Sequence, residues 1–338
     1  MSTAREWVVT DYQSGYKSLQ LRECELEEPG SGDIRLRVEA FALNWGDMDL
    51  MRGIYSFTFE SLPARVGIEA VGIVDSVGPD VDNIAVGERY CTLPYFYYQR
   101  GTSADSVVVP ARYVTRAPQN LAAVESASVW MAFMTAYYPV AALTGSGADR
   151  NILVTAGTST AGNAALNIGR LCGANMLTTT RFATNDEYLQ VSGANHVFAA
   201  SRDGSLVDFI DQATDGAGVD IIFDCVAGDL MTQYASRLAR DARIYYYGLL
   251  GGAFPDELPL VGMFQSNASF HPYSVFNYVE HEALCRQGCD YIYEAFADTK
   301  LCANVDRVFP MDGYIEAWDY MRTQRTSHGK IVIETGLA

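Results

Sequence analysis

The residues with the strongest chemical signature are Gly157, Ser159 and Gly162, set in the segment Val154-Thr155-Ala156-Gly157-Thr158-Ser159-Thr160-Ala161-Gly162. A glycine pattern gains meaning from its flanks. Before it lies the apolar run Asn151–Val154, the mark of a buried parallel strand. After it, Ala161, Ala165, Ile168 and Cys172 recur at a spacing that gives a helix one apolar face. Strand, turn and helix thus come in the order of a dinucleotide fingerprint, with Ser159 at the middle glycine position. Small residues let a backbone approach a pyrophosphate. The helix N-terminus adds unpaired N–H groups and the positive end of its dipole. Gly157, Ser159, Thr160 and Ala161 are the candidate phosphate contacts. The hydroxyls of Thr158, Ser159 and Thr160 suit phosphate oxygens, at the expense of a slightly less close backbone.

The next apolar run, Ala174–Thr180, ends in Arg181. Dinucleotide-binding domains that prefer NAD place a carboxylate there, to bond the ribose 2′-hydroxyl. A carboxylate would repel a 2′-phosphate, whereas a guanidinium grips it with forked, charge-assisted bonds. Thr180 and Arg181 therefore point to NADP(H). Lys330 is a possible additional positive contact.

These groups need a scaffold. A helix is expected to open at Thr184, with Glu187 completing a capping box, and to stop at Gly193. Strands His196–Ala200, Val219–Val226 and Arg243–Gly248 alternate with helices Leu206–Ala213 and Asp229–Arg240. Such alternation implies an α/β fold with a doubly wound parallel sheet, its ligand at the carboxyl ends of the strands. Cys225, Val226, Gly248 and Leu249 fall at those ends and join the cofactor candidates. The first ~120 residues look different. Ile34, Leu36 and Val38 alternate with Arg35, Arg37 and Glu39, and Gly67–Gly78 reads as a glycine-punctuated strand pair. With Arg89–Leu93 and Ser106–Val109, these short strands suggest a barrel-like domain. A helix follows over Ala123–Val140, and the chain ends in a strand, Lys330–Glu334. The expected division is 1–122, a barrel-like domain; 123–265, the dinucleotide domain; and 266–338, a C-terminal segment of mixed structure.

The 338 residues are enough for two sizeable cores. Hydrophobic residues make up 49%, usual for a soluble globular protein, and no apolar run reaches bilayer length. The N-terminus lacks a signal-peptide core. A net charge of −17 argues against nucleic acid and requires a phosphorylated cofactor to be held by local positive groups. The seven cysteines include no CxxC, which suits a reducing cytoplasm. Cys285 and Cys289, four apart in an expected helix, read as two ordinary thiols ahead of a metal pair.

Over nearly its whole length the chain resembles the medium-chain dehydrogenase/reductases, within them the zinc-free branch of quinone oxidoreductase-like and enoyl thioester reductases. The segments carrying the resemblance are Ala42–Tyr55 (ALNWGDMDLMRGIY), Gly67–Gly78 (GIEAVGIVDSVG) with VGERY after it, MTAYY from Met134, the Val154–Gly162 turn, and the closing HGKIVIE. The resemblance implies a GroES-like barrel domain and a Rossmann domain, with Thr135 against the nicotinamide. It also implies a homodimer, formed by pairing of the last Rossmann strand near Ala268–His271.

Departures from the zinc branch are informative. Asn44, Ile68 and Met131 align where that branch carries metal ligands, and zinc prefers thiolate, imidazole and carboxylate. The lobe after Cys91 has no cysteine quartet for a structural zinc. Glu69 and Asp47 are then expected to be structural. Without zinc, a substrate carbonyl must be polarised by hydrogen bonds. Tyr55, a neutral phenol at the position the resemblance assigns to the substrate tyrosine, and Asn44, for the substrate carbonyl or the nicotinamide ribose, are the catalytic candidates. Conjugate reduction follows: hydride to an activated alkene or a quinone, the enolate oxygen held by Asn44 and Tyr55, and a proton from Tyr55 or water. Tyr55, Phe57, Phe59, Tyr95, Phe96, Tyr97, Tyr98 and Phe264 fit an apolar or aromatic substrate, although core packing explains many of them. Two other readings stay open: a zinc-free reductase of another carbonyl compound in a biosynthetic pathway, and a non-enzymatic NADPH-binding protein.

Overall fold

The structure, a computed structural model, describes residues 3–143, 148–252, 257–324 and 327–337. It divides into two compact units, Met1–Met131 with Val279–Ala338, and Ala132–Tyr278.

The second unit holds a six-stranded, wholly parallel sheet. Its strands in chain order are Asn151–Val154, Asn175–Thr180, His196–Ala199, Val219–Asp224, Leu238–Tyr246 and Ser269–Pro272. In space they run 3-2-1-4-5-6. That is the doubly wound order, whose reversal between the first and fourth strands opens a crevice at their carboxyl ends. The first strand is apolar and buried from Ile152 to Val154, as suits an interior strand of a parallel sheet. Leu206–Ala213 is a helix as expected, its N-cap Ser205 accepting from Asp208 N.

Two local expectations are corrected here. The helix after Arg181 begins as a 3-10 turn at Ala183–Asn185 and becomes α-helical at Asp186–Val191, with no side-chain cap. Thr184 lies inside the 3-10 turn, and the residue at the N-cap position, Asn185, has αR angles in place of the extended ones of a cap. The expected helix Asp229–Arg240 stops at Tyr234, and Leu238 already belongs to the fifth strand. There, parallel pairing with the fourth strand (Val219 beside Leu238) overrides local helix preference.

The first unit is built mainly on antiparallel strands, with one parallel pair, Val305–Pro310 beside Lys330–Glu334. Its larger sheet has seven, with Asp33–Ala42 pairing with Glu69–Val77, Ser106–Pro110 and the C-terminal strand Lys330–Glu334. Asp33–Ala42 is therefore central, and both of its faces are covered. Ile34, Leu36 and Val38 are fully buried as expected, but Arg35 and Glu39 are buried too. Each charge survives by pairing, Arg35 with Asp75 (2.7 Å) and Glu39 with Arg89 (2.7 Å). Gly67–Gly78 is one long strand, Glu69–Val77, and not a strand pair. Among the described residues no helix is long and apolar enough to cross a membrane.

Candidate active site

In the second unit, the turn after the first strand is shaped by its glycines. A Cβ on Gly157 would lie 2.1 Å from Thr178 Oγ1, and one on Gly162 would lie 2.7 Å from Ala156 O. The turn thus packs directly on the second strand, and Ala156 takes a positive φ of 51° to make it. Helix Thr160–Leu171 starts from the N-cap Ser159, whose Oγ accepts from Gly162 N at 3.1 Å. Ser159 is therefore first a cap. The N–H groups of Thr160 and Ala161 find no acceptor among the described residues. They are the orphan donors of a helix start, and they fit a phosphate.

The neighbouring strand ends are tied to this turn. Asp224, fully buried at the end of the fourth strand, accepts from Thr155 Oγ1 (2.6 Å), Val226 N (2.8 Å), Ala227 N (3.1 Å) and Tyr234 Oη (2.7 Å). Thr155 Oγ1 in turn accepts from Cys225 N at 3.0 Å, and Leu250 N donates to Cys225 O at 2.8 Å. The loops after the first, fourth and fifth strands are thereby one hydrogen-bonded rim. Sequence reasoning missed Asp224, since a lone aspartate at a strand end carries no spacing signal.

Within the rim, Cys225 corrects its expected role. Its thiol is buried, and burial pushes it up to about 12. Its N–H and its carbonyl are both spent within the rim, so Cys225 shapes the rim and is not itself a ligand contact. Val226, Gly248 and Leu249 are half-buried, and Thr180 Oγ1 is occupied by Asn185. Arg181 is exposed at the end of the second strand, its guanidinium 5.5 Å from the Phe182 ring, with no carboxylate paired to it among the described residues. It is free to meet an anion. Thr135 is buried in helix Trp130–Tyr137.

In the first unit, four polar side chains meet in a buried cluster. Asn44 is the N-cap residue of helix Trp45–Met51, and its N–H donates to Asp47 Oδ2 at 3.1 Å, while Asp47 N donates to the Asn44 carbonyl at 3.1 Å. Strand Lys330–Glu334 pairs antiparallel with Asp33–Ala42, Val332 opposite Ala42, which brings Lys330 to Leu43 and Asn44. Lys330, only 2% exposed, pairs with Glu69 Oε1, donates to Asn44 Oδ1 and reaches Leu43 O at 3.4 Å. Those contacts engage its three donors, so Lys330 is corrected from a cofactor contact to a member of this cluster. Asn44 Nδ2 donates to Glu69 Oε1 at 3.2 Å, and Met131 N donates to Glu69 Oε2 at 2.9 Å. Both Glu69 oxygens are thus engaged within the cluster.

Asp47 is fully buried and its Oδ1 has no partner. Burial pushes its carboxyl up to about 7, against the pull of Lys330 and the Asn44 N–H. Tyr55 lies against the same helix, and room for it depends on Gly46, where a Cβ would sit 2.7 Å from the Tyr55 hydroxyl. Burial, and then Asp47 and Asp49, raise the Tyr55 phenol far above its usual range. It stays protonated, as a donor. The aromatic residues gather around Phe57, with Tyr55, Phe96, Tyr97 and Tyr98 all within 5.4–5.6 Å of its ring. Phe57, Phe59, Tyr95 and Tyr97 are buried. Phe264 does not join them: it belongs to the second unit and is 83% exposed on helix Leu260–Ser266.

Zinc does not fit the positions where relatives with a metal would carry ligands. The Asn44 amide is engaged at both ends, Ile68 is a buried alkyl group, and Met131 offers only a thioether. Among the described residues no three His, Cys, Asp or Glu side chains gather as a metal site.

Two domain families match the chain: the alcohol dehydrogenase GroES-like domain over residues 30–119 and the zinc-binding dehydrogenase domain over residues 192–333. The chain is 29% identical over 319 residues, 94% of its length, to a subunit of the phenolphthiocerol/phthiocerol polyketide synthase of Mycobacterium tuberculosis. It is 31% identical over 218 residues, 64% of its length, to the erythronolide synthase EryA2 of Saccharopolyspora erythraea. It spans only 14% and 6% of those two relatives, respectively. Its fold matches the Escherichia coli quinone oxidoreductase complexed with NADPH (TM-score 0.86, 21% identity, 99% of this chain and 100% of that one). It also matches a 2-haloacrylate reductase (TM-score 0.84, 23% identity, 98% and 99%). With a GroES-like domain, a sheet in doubly wound order and the glycine turn after its first strand, the chain belongs to the medium-chain dehydrogenase/reductase superfamily.

Proposed function

We propose that this oxidoreductase draws on NADPH to reduce an activated C=C bond or a quinone, without zinc. The observation that carries the reading is the second unit's rim. Its turn presents the unpaired N–H groups of Thr160 and Ala161 at the reversal point of the sheet, and Arg181 stands exposed where NAD-preferring domains carry a carboxylate. The pyrophosphate would rest on Thr160, Ala161 and the backbone at Gly157 and Ser159. The 2′-phosphate would rest on Arg181, the nicotinamide against Thr135, and the rest along Val226, Gly248 and Leu249. The NADPH complex of the E. coli quinone oxidoreductase, which shares the fold, supports this choice of cofactor.

Bound NADPH would supply the hydride. The chain's own part is to polarise the acceptor. Tyr55 donates its hydroxyl, and Asn44 its second N–H, to the oxygen on which charge develops. Release of the Tyr55 proton would leave a phenolate beside Asp47 and Asp49, where burial already disfavours it. Tyr55 therefore acts by hydrogen bonding, and water supplies the product proton. The aromatic group around Phe57 suits an apolar acceptor. Enoyl thioesters stand beside enones and quinones as candidates, because the relatives matching most of the chain are polyketide synthases. A homodimer through the outer strand Ser269–Pro272 is part of the same reading.

The test is NADPH and NADH oxidation with enones, quinones, enoyl thioesters and aldehydes. NADPH-dependent turnover of the first three, unchanged by a chelator, is expected. Activity lost to chelation and restored by zinc would overturn the metal-free assignment, and binding of NADPH with no turnover would overturn the enzymatic one.

Arg181→Ala is expected to weaken NADPH by roughly 10- to 100-fold, the usual loss when hydrogen bonds to a charged group disappear. NADH, which lacks the 2′-phosphate, should bind almost as before. Equal losses for both cofactors in fluorescence titrations would show that Arg181 acts through the fold.

A further inference from the structure

The orientation of an asparagine amide is usually open, because its oxygen and nitrogen are nearly alike in size. At Asn44 the neighbours remove that freedom. Lys330 Nζ has only donors, so the atom facing it must be Asn44 Oδ1. Glu69 accepts from Met131 N with Oε2 and faces Asn44 with Oε1, and as a carboxylate it has nothing to donate. The atom facing Glu69 must therefore be Asn44 Nδ2, and one of its two N–H bonds is spent there. Flipping the amide would set an N–H against an ammonium and a carbonyl against a carboxylate, in a cluster whose members are all nearly excluded from water. The other Nδ2–H is on the side of the Asp47 carboxyl, whose buried Oδ1 makes no hydrogen bond of normal geometry, so a substrate oxygen competes only with that loose contact.

We propose that Lys330 and Glu69 are positioning residues that lock the Asn44 amide so that it presents an N–H, and not its carbonyl, to the substrate oxygen. This inference rests on the role given to Asn44 above and adds the reason why a buried ion pair is kept behind it. The pair carries no chemistry of its own. Its two ends, one donor-only and one acceptor-only, fix the polarity of a neutral group.

Breaking a buried pair from one side leaves an uncompensated charge and risks unfolding. The test therefore removes both charges together, in Lys330→Met/Glu69→Gln. The methionine fills the lysine stem's space. The introduced glutamine keeps an oxygen for Met131 N–H and turns its NH2 toward Asn44, which now favours the flipped amide. The double variant should retain its thermal transition and its NADPH affinity. Its kcat with the best acceptor should fall by about 100-fold, the loss expected for one oxyanion donor. Lys330→Arg, which is still donor-only, should keep most of the activity.

Asn44→Ala is then made in both backgrounds. In the wild type it should cost about 100-fold in kcat. In the double variant it should cost little more, because the N–H is already turned away. Full additivity would overturn the proposal and leave Lys330 and Glu69 acting electrostatically on their own. An unchanged kcat in a folded Lys330→Met/Glu69→Gln variant would overturn it too, while leaving Asn44 in place. A wild-type enzyme indifferent to Asn44→Ala would instead remove the role of Asn44 on which the inference stands.

Discussion

Tyr55→Phe is expected to lower kcat by about 10²-fold while leaving NADPH affinity unchanged. The substitution removes one oxygen and keeps the ring against Phe57 and Gly46, so packing barely alters. NADPH contacts are assigned to the second unit, whereas Tyr55 belongs to the first. A donor aimed at an oxygen that gains charge is worth about 10²–10³ in kcat, a loss that falls on turnover more than on binding. The pH dependence separates a hydrogen-bond donor from a proton donor. Burial, with Asp47 and Asp49, raises the phenol, so its protonated form persists past the pH at which an ordinary tyrosine ionises. Turnover should then show no limb from Tyr55 up to about pH 10. A limb in the neutral range that vanishes in Tyr55→Phe would mean that the phenol titrates there and acts as the acid. A variant within a few-fold of wild type at every pH would leave Tyr55 as filling for the aromatic group.

Much of the second unit was legible in the sequence for a physical reason. Parallel strands buried on both faces read as apolar runs, and the glycines of the turn stand where any Cβ would strike the next strand or the turn itself. Asn151–Val154, His196–Ala199 and Leu206–Ala213 match their expected bounds to within a residue. What failed there failed at junctions. The helix before the fifth strand ends early because pairing beside Val219 starts at Leu238, a long-range contact that no local pattern announces. In the first unit, alternation named the strand Asp33–Ala42 but not its centrality, so the burial of Arg35 and Glu39 was unforeseen.

The candidate site divides in the same way. Asn44 and Tyr55 stand in a recognisable segment. The contact of Lys330 with Asn44 spans 286 positions of sequence and exists only because the last strand closes on Asp33–Ala42. Lys330 looked like a cofactor contact because a lysine read alone is a charge seeking an anion. Its anion is Glu69, which the sequence offered with no sign of a partner. Gly46 was equally silent, since the need for glycine there comes from the Tyr55 hydroxyl lying over it and not from a turn.

Asp224→Ala is expected to destabilise the second unit by more than about 3 kcal/mol, because it orphans four donors in a site without water access. Those donors are the Thr155 and Tyr234 hydroxyls and the Val226 and Ala227 N–H groups. At ~2–4 °C per kcal/mol, the transition should drop by roughly 6–12 °C. Ala227 adds to the effect, since its φ of 57° with ψ of −143° is a strained geometry that the Asp224 bonds hold in place. NADPH affinity should fall as well, because Thr155 leads into the phosphate turn and loses its anchor. Asp224→Asn provides the control. Its oxygen can keep the three donors now on Oδ1, and its new N–H can donate to Tyr234, whose hydroxyl is able to rotate and accept. That variant should stay within about 1.5 kcal/mol of wild type, the worth of a single hydrogen bond. If Asn proves as damaging as Ala, the negative charge at 224 matters more than its hydrogen bonds. If both variants melt with the wild type and bind NADPH equally well, the rim does not depend on Asp224, and its four bonds are replaced by water.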